Sequence, residues 1–117
     1  MNTGRPLARG EVVLVAFPFT DLSGSKVRPA LIVGRPIGDD VILAFMTSRP
    51  VVADPQVEIA LQAGDPEFVG TGLKGPGVVR LGKLVTLDKS LVHRRLGQIG
   101  PQTELAVRRC LRYVFGL

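Results

Sequence analysis

Residues 11–17 read Glu-Val-Val-Leu-Val-Ala-Phe, a short run of β-branched and apolar residues that Pro18 ends. Turn-forming residues follow at 20–26 (Thr-Asp-Leu-Ser-Gly-Ser-Lys), so the run is typical of a β-strand that leads into an exposed loop. The same pattern returns at residues 30–33 and 40–46, with a glycine- and proline-containing turn between them. We therefore predict three consecutive strands in the first part of the chain.

The rest of the chain continues with short strands on either side of a glycine-rich segment. Residues 57–61 alternate apolar with small or polar side chains, as a half-exposed strand does. Residues 64–77 contain five Gly and two Pro, which predicts a long surface loop. Residues 78–86 and 92–99 are again strand-like.

One helix is predicted to close the chain. Gly100-Pro101 fits a helix start with proline at the first helical position. Apolar residues then recur at near-helical spacing, with arginines on the other faces: Leu105, Val107, Leu111 and Val114 against Arg108, Arg109 and Arg112. Many short strands and one helix predict a small, strongly bent antiparallel barrel with the helix packed on it.

Length and composition suit one domain, which we expect to span residues 1–117. An apolar fraction of 45 % is enough for one modest core. The 15 Lys and Arg against 10 Asp and Glu give a net charge of +5, and this excess is uneven. Residues 1–68 hold six basic and eight acidic side chains, whereas residues 69–117 hold nine and two. A basic excess predicts a polyanionic partner, although it also serves solubility alone.

The cysteine content and the hydropathy limit the environment of the protein. Cys110 is the only cysteine, so it cannot form an internal disulfide, and we expect it to be a small buried apolar residue of a cytoplasmic protein. With His93 alone beside it, it cannot supply a zinc site. No apolar run approaches the roughly 20 residues that cross a bilayer, so no membrane association is expected.

The usual catalytic signatures are missing from the sequence, which contains no Walker loop, metalloprotease motif, nucleophile elbow or paired cysteines. The pairs Gly70-x-Gly72 and Gly75-x-Gly77 lack the strand-to-helix setting of a dinucleotide fingerprint. We therefore expect no cofactor and no metal. A polar site built from Arg, Thr, Ser and Asp is what remains.

Three blocks of the sequence resemble the MazF/PemK family of toxin endoribonucleases. The first runs over residues 9–26 and continues at 28–33 as Arg-Pro-Ala-Leu-Ile-Val. The second is residues 42–48 (Ile-Leu-Ala-Phe-Met-Thr-Ser), and the third is residues 77–88 (Gly-Val-Val-Arg-Leu-Gly-Lys-Leu-Val-Thr-Leu-Asp). The likeness continues through residues 95–97 into the final helix, and three blocks in register are far more specific than any one of them.

The resemblance implies an SH3-like barrel of the CcdB, Kid and MazF type with a C-terminal helix, assembled as a homodimer. It also implies sequence-specific, metal-independent cleavage of single-stranded RNA, including mRNA, that leaves 2′,3′-cyclic phosphate and 5′-hydroxyl ends. A cognate acidic, MazE-like antitoxin would occupy the RNA groove and hold the toxin inactive.

The resemblance also implies where catalysis occurs. Arg28 matches the active-site arginine of the family, and its planar guanidinium suits bidentate phosphate binding. Thr47 and Ser48 match a Thr-Ser pair whose hydroxyls can donate to a phosphate oxygen, although both types are also ordinary turn residues. Arg80 matches a second arginine of the family.

One position departs from the family pattern. Many members have an acidic residue two positions after the second arginine, where this chain has Gly82. Residues i and i+2 share a face of a strand, so that carboxylate would lie beside Arg80 as a candidate base. Asp21 and Asp88 are the candidate substitutes, and we favour Asp21, with an Asx turn as its alternative role. His93, beside two arginines, is interpreted as a surface residue.

The segment between the first two strands is the expected substrate contact. Ser23, Gly24, Ser25 and Lys26 form a small, basic stretch suited to phosphates and splayed bases, and Phe17 is a candidate for base stacking or for the core.

Two alternative functions remain open from the sequence. The first is an RNA- and antitoxin-binding module that has lost turnover with the carboxylate at position 82. The second is a CcdB-like gyrase poison, which would act on a DNA-bound enzyme.

Overall fold

The computed structural model describes residues 5–16, 27–49 and 51–117. Six strands and one α-helix form in this part of the chain: β1 (Glu11–Ala16), β2 (Val27–Ile32), β3 (Asp40–Thr47), β4 (Glu58–Leu61), β5 (Gly77–Asp88), β6 (Val92–Gln98) and α1 (Pro101–Phe115). Two single turns of 3-10 helix lie at Val69–Thr71 and Lys89–Leu91. In the described residues no helix is both long and apolar enough to cross a membrane.

The strands form one antiparallel sheet in the order β4-β5-β3-β2-β1-β6. Long β5 bends at an irregularity, so that one part of it pairs with Asp40–Ala44 of β3 and another part pairs with residues 45–47 of β3 and with β4. The prediction of a mainly β, barrel-like fold with one C-terminal helix is confirmed. Within the described residues β4 and β6 are the two edges of the sheet, which is therefore strongly bent but open.

Alternation along the strands sends apolar side chains to both faces of the sheet. One face carries Val12, Leu31 and Leu81, and α1 packs on it through Val107 and Cys110. The other face carries a second buried cluster: Val13, Val15, Ala30, Ile32, Val41, Leu43 and Leu87. Because successive residues of a strand point to opposite faces, each central strand contributes to both clusters.

The C-terminal helix begins and ends as the sequence predicts. Pro101 is at the first turn, and Gly116 ends the helix in the left-handed conformation with its N–H donating to carbonyls of the last turn. Cys110 is fully buried, as expected. Leu105, which the spacing placed on the apolar face, is instead 58 % exposed, because the buried stripe passes through Val107 and Cys110.

The segments around the strands differ in two ways from the predictions. β2 begins at Val27, three residues before the predicted start, so that Arg28 and Pro29 lie within a strand that pairs with β1. The glycine-rich segment 64–77 runs over the surface as predicted, but it contains a 3-10 turn and the buried side chains of Phe68 and Thr71.

Candidate functional site

A cavity of about 560 Å³ opens where β1, β2, β3 and β6 meet the end of the glycine-rich segment. Three of the sequence-predicted site residues line it, namely Arg28, Thr47 and Ser48. Its other described lining residues come from the sheet and from the segment before β5: Leu14, Pro29, Met46, Gly72, Leu73, Lys74, Gly75, Pro76, Gly77, Arg94 and Leu96.

Strand pairing builds the floor of this cavity. Leu14 of β1 pairs with Pro29 of β2 on one side and with Arg94 of β6 on the other. Paired residues of antiparallel strands face the same way, so these three residues form one row across the sheet. Residues 80 positions apart in the sequence therefore reach one site, with Arg28 beside them in β2.

The segment Gly72–Gly77 forms the opposite wall of the cavity. It is anchored by the 3-10 turn Val69–Thr71, which packs on β6. Glycines permit this close approach, because a Cβ on Gly97 would overlap the backbone of Gly70 and Thr71. The tight packing fixes the wall, and with it Lys74, relative to the sheet.

The cavity concentrates positive charge. Arg28, Lys74 and Arg94 line it and are all exposed, and none of the three has an ion-pair partner within the described residues. No Asp or Glu is found among the described residues that line the cavity. Unpaired cations around a concave site favour a ligand rich in phosphate or carboxylate groups.

Two hydroxyl groups lie beside these cations. Thr47 ends β3 and is half-buried, and its Oγ1 accepts a hydrogen bond from the Arg49 N–H at 3.2 Å. Its own hydroxyl hydrogen therefore remains available for a ligand. Arg28 and Thr47 both line the cavity, so one ligand there can meet the guanidinium and the hydroxyl together.

Arg80 lies next to the cavity but does not line it. It is three residues along β5 from Gly77 and forms an ion pair with Glu58 of β4, with 3.4 Å between Arg80 Nε and Glu58 Oε2. Gly82 is exposed, and a Cβ there would make only ordinary contact with Val57. The carboxylate beside Arg80 therefore comes from the neighbouring strand.

Other predicted site residues lie outside the described residues: Phe17, Asp21, Ser23, Gly24, Ser25 and Lys26. Their segment joins β1 to β2, and Leu14 and Arg28 near its two ends line the cavity. His93 is exposed and does not line the cavity, in keeping with a surface residue.

Sequence reasoning missed Lys74, Arg94 and Glu58. The available signal for the first two was the basic excess of residues 69–117, which did not distinguish cavity residues from the solvent-facing arginines of α1. Within the described residues, no three His, Cys, Asp or Glu side chains are grouped so that they could hold a metal ion.

Comparison with known families gives one extensive match. Residues 8–115 match the family model described as "PemK-like, MazF-like toxin of type II toxin-antitoxin system". No curated protein sequence matches the chain significantly.

Solved structures share the fold over nearly the whole chain. An endoribonuclease in complex with its cognate antitoxin, from a mycobacterial species, is 23 % identical with a TM-score of 0.72, covering 96 % of this chain and 97 % of its own. A second mycobacterial endoribonuclease is 25 % identical with a TM-score of 0.68, covering 95 % and 92 %. A MazE-MazF structure from Deinococcus radiodurans is 23 % identical with a TM-score of 0.73, covering 95 % and 96 %.

Proposed function

The chain belongs to the family of PemK-like, MazF-like toxins of type II toxin-antitoxin systems, and from that premise we propose that it is an endoribonuclease. Its substrate is single-stranded RNA, including mRNA, which it cuts at a short sequence motif without a metal ion. Two similar structures carry the name endoribonuclease, which supports this activity.

The observation that carries the proposal is the composition of the cavity. Arg28, Lys74 and Arg94 supply positive charge that has no ion-pair partner among the described residues, and Thr47 and Ser48 supply hydroxyl donors in the same cavity. These groups are suited to binding a phosphodiester and to stabilising the extra negative charge of a pentacoordinate phosphorane. The site has the size of a small-ligand pocket, so it suits one or two nucleotides rather than a duplex.

The chemistry that fits these groups is attack by the ribose 2′-oxygen on the adjacent phosphorus. The new O2′–P bond forms as the P–O5′ bond breaks, leaving a 2′,3′-cyclic phosphate and a 5′-hydroxyl end. The 2′-hydroxyl loses its proton to a base, and the departing 5′-oxygen takes a proton from water. Arg28 holds the phosphorane oxygens, and Thr47 and Ser48 donate hydrogen bonds to them.

The described residues that line the cavity include no carboxylate that could act as the base. The guanidinium of Arg28 is a permanent cation that offers donors only, so it is suited to stabilising negative charge rather than to accepting a proton. We assign the base to Asp21, whose segment connects two strands that border the cavity. Phe17, Ser23, Gly24, Ser25 and Lys26 belong to the same segment and are assigned to the RNA on either side of the cut.

Two protein partners complete the proposal. One is a cognate acidic, MazE-like antitoxin, supported by the antitoxin complexes among the similar structures and by the net charge of +5. The other is a second copy of the chain in a homodimer. We place this pair of partners in the cytoplasm and treat residues 1–117 as one toxin domain.

Cleavage of a diverse RNA pool in excess chelator tests the activity. Wild-type protein is expected to cut, and Arg28→Ala is expected to lose activity by about 100-fold or more, as removal of an oxyanion-stabilising donor does. Arg35→Ala is the matched control, because Arg35 is an exposed arginine outside the cavity and its loss changes the net charge equally. No cleavage by wild-type protein in any RNA of the pool would refute the proposal.

A binding module without turnover is the second candidate. It is favoured by the absence of an acidic residue among the described residues that line the cavity. It predicts that wild-type protein binds single-stranded RNA in the same assay without cutting it. Cleavage that Asp21→Asn abolishes would exclude this candidate and identify the base.

A further inference from the structure

Glu58 is held in an unusual way for a charged residue at the edge of a sheet. Its side chain is only 10 % exposed, and it lies directly opposite Arg80 in the pairing of β4 with β5. One carboxylate oxygen, Oε1, accepts hydrogen bonds from the Ala53 N–H at 2.7 Å and the Asp54 N–H at 3.3 Å. The other oxygen, Oε2, faces Arg80 Nε at 3.4 Å.

These contacts keep the carboxylate ionised. The backbone N–H of Ala53 is the largest cause that lowers the pKa of Glu58, and the N–H of Asp54 and the charge of Arg80 lower it further, against the opposing effect of burial. An ionised group that is already surrounded by donors is a poor proton acceptor at neutral pH. Glu58 is therefore an anchor for Arg80 rather than a base.

Arg80 lies on the same face of the sheet as Thr47. Thr47 pairs with Val78, and Phe45, two residues before Thr47, pairs with Arg80. Thr47 and Arg80 are therefore diagonal neighbours on one face, about 7–8 Å apart at the backbone. Arg80 is therefore a neighbour of the cavity, which Thr47 and Gly77 line.

The ion pair also sets the direction of the guanidinium. Glu58 is in contact with the Nε edge, and the terminal nitrogens of Arg80 have no partner within the described residues. The Arg80 side chain is 36 % exposed, so part of it is accessible to a ligand. A guanidinium fixed along one edge presents its other donors in a defined orientation for a phosphate.

We propose that Glu58 is a positioning residue for RNA binding, which holds Arg80 so that its free edge takes the phosphate adjacent to the one in the cavity. The inference rests on the proposed function. It adds a contact to one further phosphate of the RNA and a role for Glu58. It also explains how the chain can carry glycine at position 82, because the carboxylate that fixes Arg80 comes from β4.

A purely electrostatic effect of Glu58 on RNA affinity would be opposite in direction to a positioning effect, so the direction of the change distinguishes the two. Removing a negative charge next to an RNA site should strengthen RNA binding if the carboxylate only repels phosphates. If Glu58 positions Arg80, the same change weakens binding. Glu58→Gln is the variant to use, because its amide oxygen still accepts from Ala53 and keeps the neighbouring loop attached.

The experiment measures the dissociation constant for a pool of short, single-stranded 2′-O-methyl RNA oligonucleotides, which cannot be cut. Glu58→Gln is expected to bind about tenfold more weakly than wild type, the usual value of losing one contact between charged groups. Arg80→Ala should lose at least as much, and the slope of log K against log salt should fall by about 0.7. The Glu58→Gln/Arg80→Ala double variant should bind no more weakly than Arg80→Ala, because Glu58 acts only through Arg80.

Two further variants control this comparison. Asp39→Asn removes one carboxylate from an exposed ion pair with Lys89 at the far end of β3, and it should bind as wild type does or slightly more tightly. Arg80→Lys leaves Glu58 intact and keeps the charge, but a lysine has no second edge to offer, so it should lose about as much affinity as Glu58→Gln. If Glu58→Gln does not fold, wild-type RNA affinity in Arg80→Lys would still overturn the inference.

Each outcome separates the inference from the proposed function. Wild-type affinity in Glu58→Gln, wild-type affinity in Arg80→Lys, or additive losses in the double variant would each overturn the inference and leave the function intact. RNA binding by wild type without any cleavage would overturn the enzymatic function while the Glu58 comparison still decides the inference. Absence of both binding and cleavage in wild type would overturn both.

Discussion

Gly72 packs directly against the backbone of Leu96, so closely that a Cβ at position 72 would overlap the carbonyl oxygen of Leu96. Its φ of +73° also lies in the left-handed region that side chains disfavour. Two independent constraints thus require glycine where the wall Gly72–Gly77 begins. The position of Lys74 in the cavity depends on this contact between the wall and β6.

Substitution of Gly72 should therefore cost both stability and RNA binding. Gly72→Ala is expected to lower the free energy of unfolding by at least about 2 kcal/mol, from left-handed backbone strain and the overlap with β6. Gly75→Ala is the matched control within the same wall, because a Cβ there meets nothing within 4 Å. Urea unfolding monitored by circular dichroism measures the difference, and equal stability of the two variants would contradict the account.

Thr47 should act through its hydroxyl. Thr47→Ala is expected to cut RNA about 10- to 100-fold more slowly, since a hydrogen bond to a charged group contributes about 1.5–3 kcal/mol. Thr47→Ser should stay within a few-fold of wild type. Single-turnover cleavage rates measure this, and Thr86→Ala, an exposed threonine of β5 outside the cavity, should have no effect. A Thr47→Ser variant as slow as Thr47→Ala would argue against the hydroxyl.

Lys74 and Arg94 should each neutralise a phosphate. Replacing either by Ala is expected to reduce the slope of log K against log salt for single-stranded RNA by about 0.7. Fluorescence anisotropy at several salt concentrations measures the slope. Arg112→Ala, on the last turn of α1 and outside the cavity, removes the same charge as a control. Equal slopes for wild type and both cavity variants would remove Lys74 and Arg94 from the binding site.

Acid should destabilise the start of α1. Glu67 accepts hydrogen bonds from the Gln102 N–H at 2.9 Å and the Thr103 N–H at 3.0 Å, and these bonds lower its pKa. A carboxyl whose pKa is lower in the folded state stabilises the fold above its ordinary value of 4.5, and this contribution is lost as the pH falls through the lowered value. The stability difference between wild type and Glu67→Gln should therefore shrink below pH 4.5. Thermal unfolding over this range checks it, and a difference independent of pH would contradict it.

Local sequence patterns were sufficient to predict most of the fold. Alternation and β-branched runs located the strands, and Gly100-Pro101 located the start of α1. The early start of β2 was missed because the Arg28-Pro29 pair resembles the end of a loop. Pro29 is near the start of β2, in the part that pairs with β1 before the pairing with β3 begins at Ala30, which is the kind of position where a sheet tolerates proline. The exposure of Leu105 was missed because apolar spacing alone does not say which side of a short helix meets the sheet.

The candidate site was less predictable than the fold. Arg28, Thr47 and Ser48 were named through the resemblance, and the described structure brings them to one cavity. Arg94 reaches that cavity only because β6 pairs with β1, and Glu58 meets Arg80 only because β4 pairs with β5. Strand order and register are set by the whole sheet, so no local pattern at residues 58 or 94 indicates these contacts.

The RNA ends left by the purified protein in excess chelator report on the proposed reaction itself. We expect 2′,3′-cyclic phosphate and 5′-hydroxyl ends at a short motif, and an intact RNA when the single ribose 5′ to the cut carries no 2′-hydroxyl. We also expect Arg28→Ala to leave the same ends at a rate at least about 100-fold lower. Cleavage of the 2′-deoxy substrate at the wild-type rate, or ends bearing a 5′-phosphate, would contradict the proposed reaction.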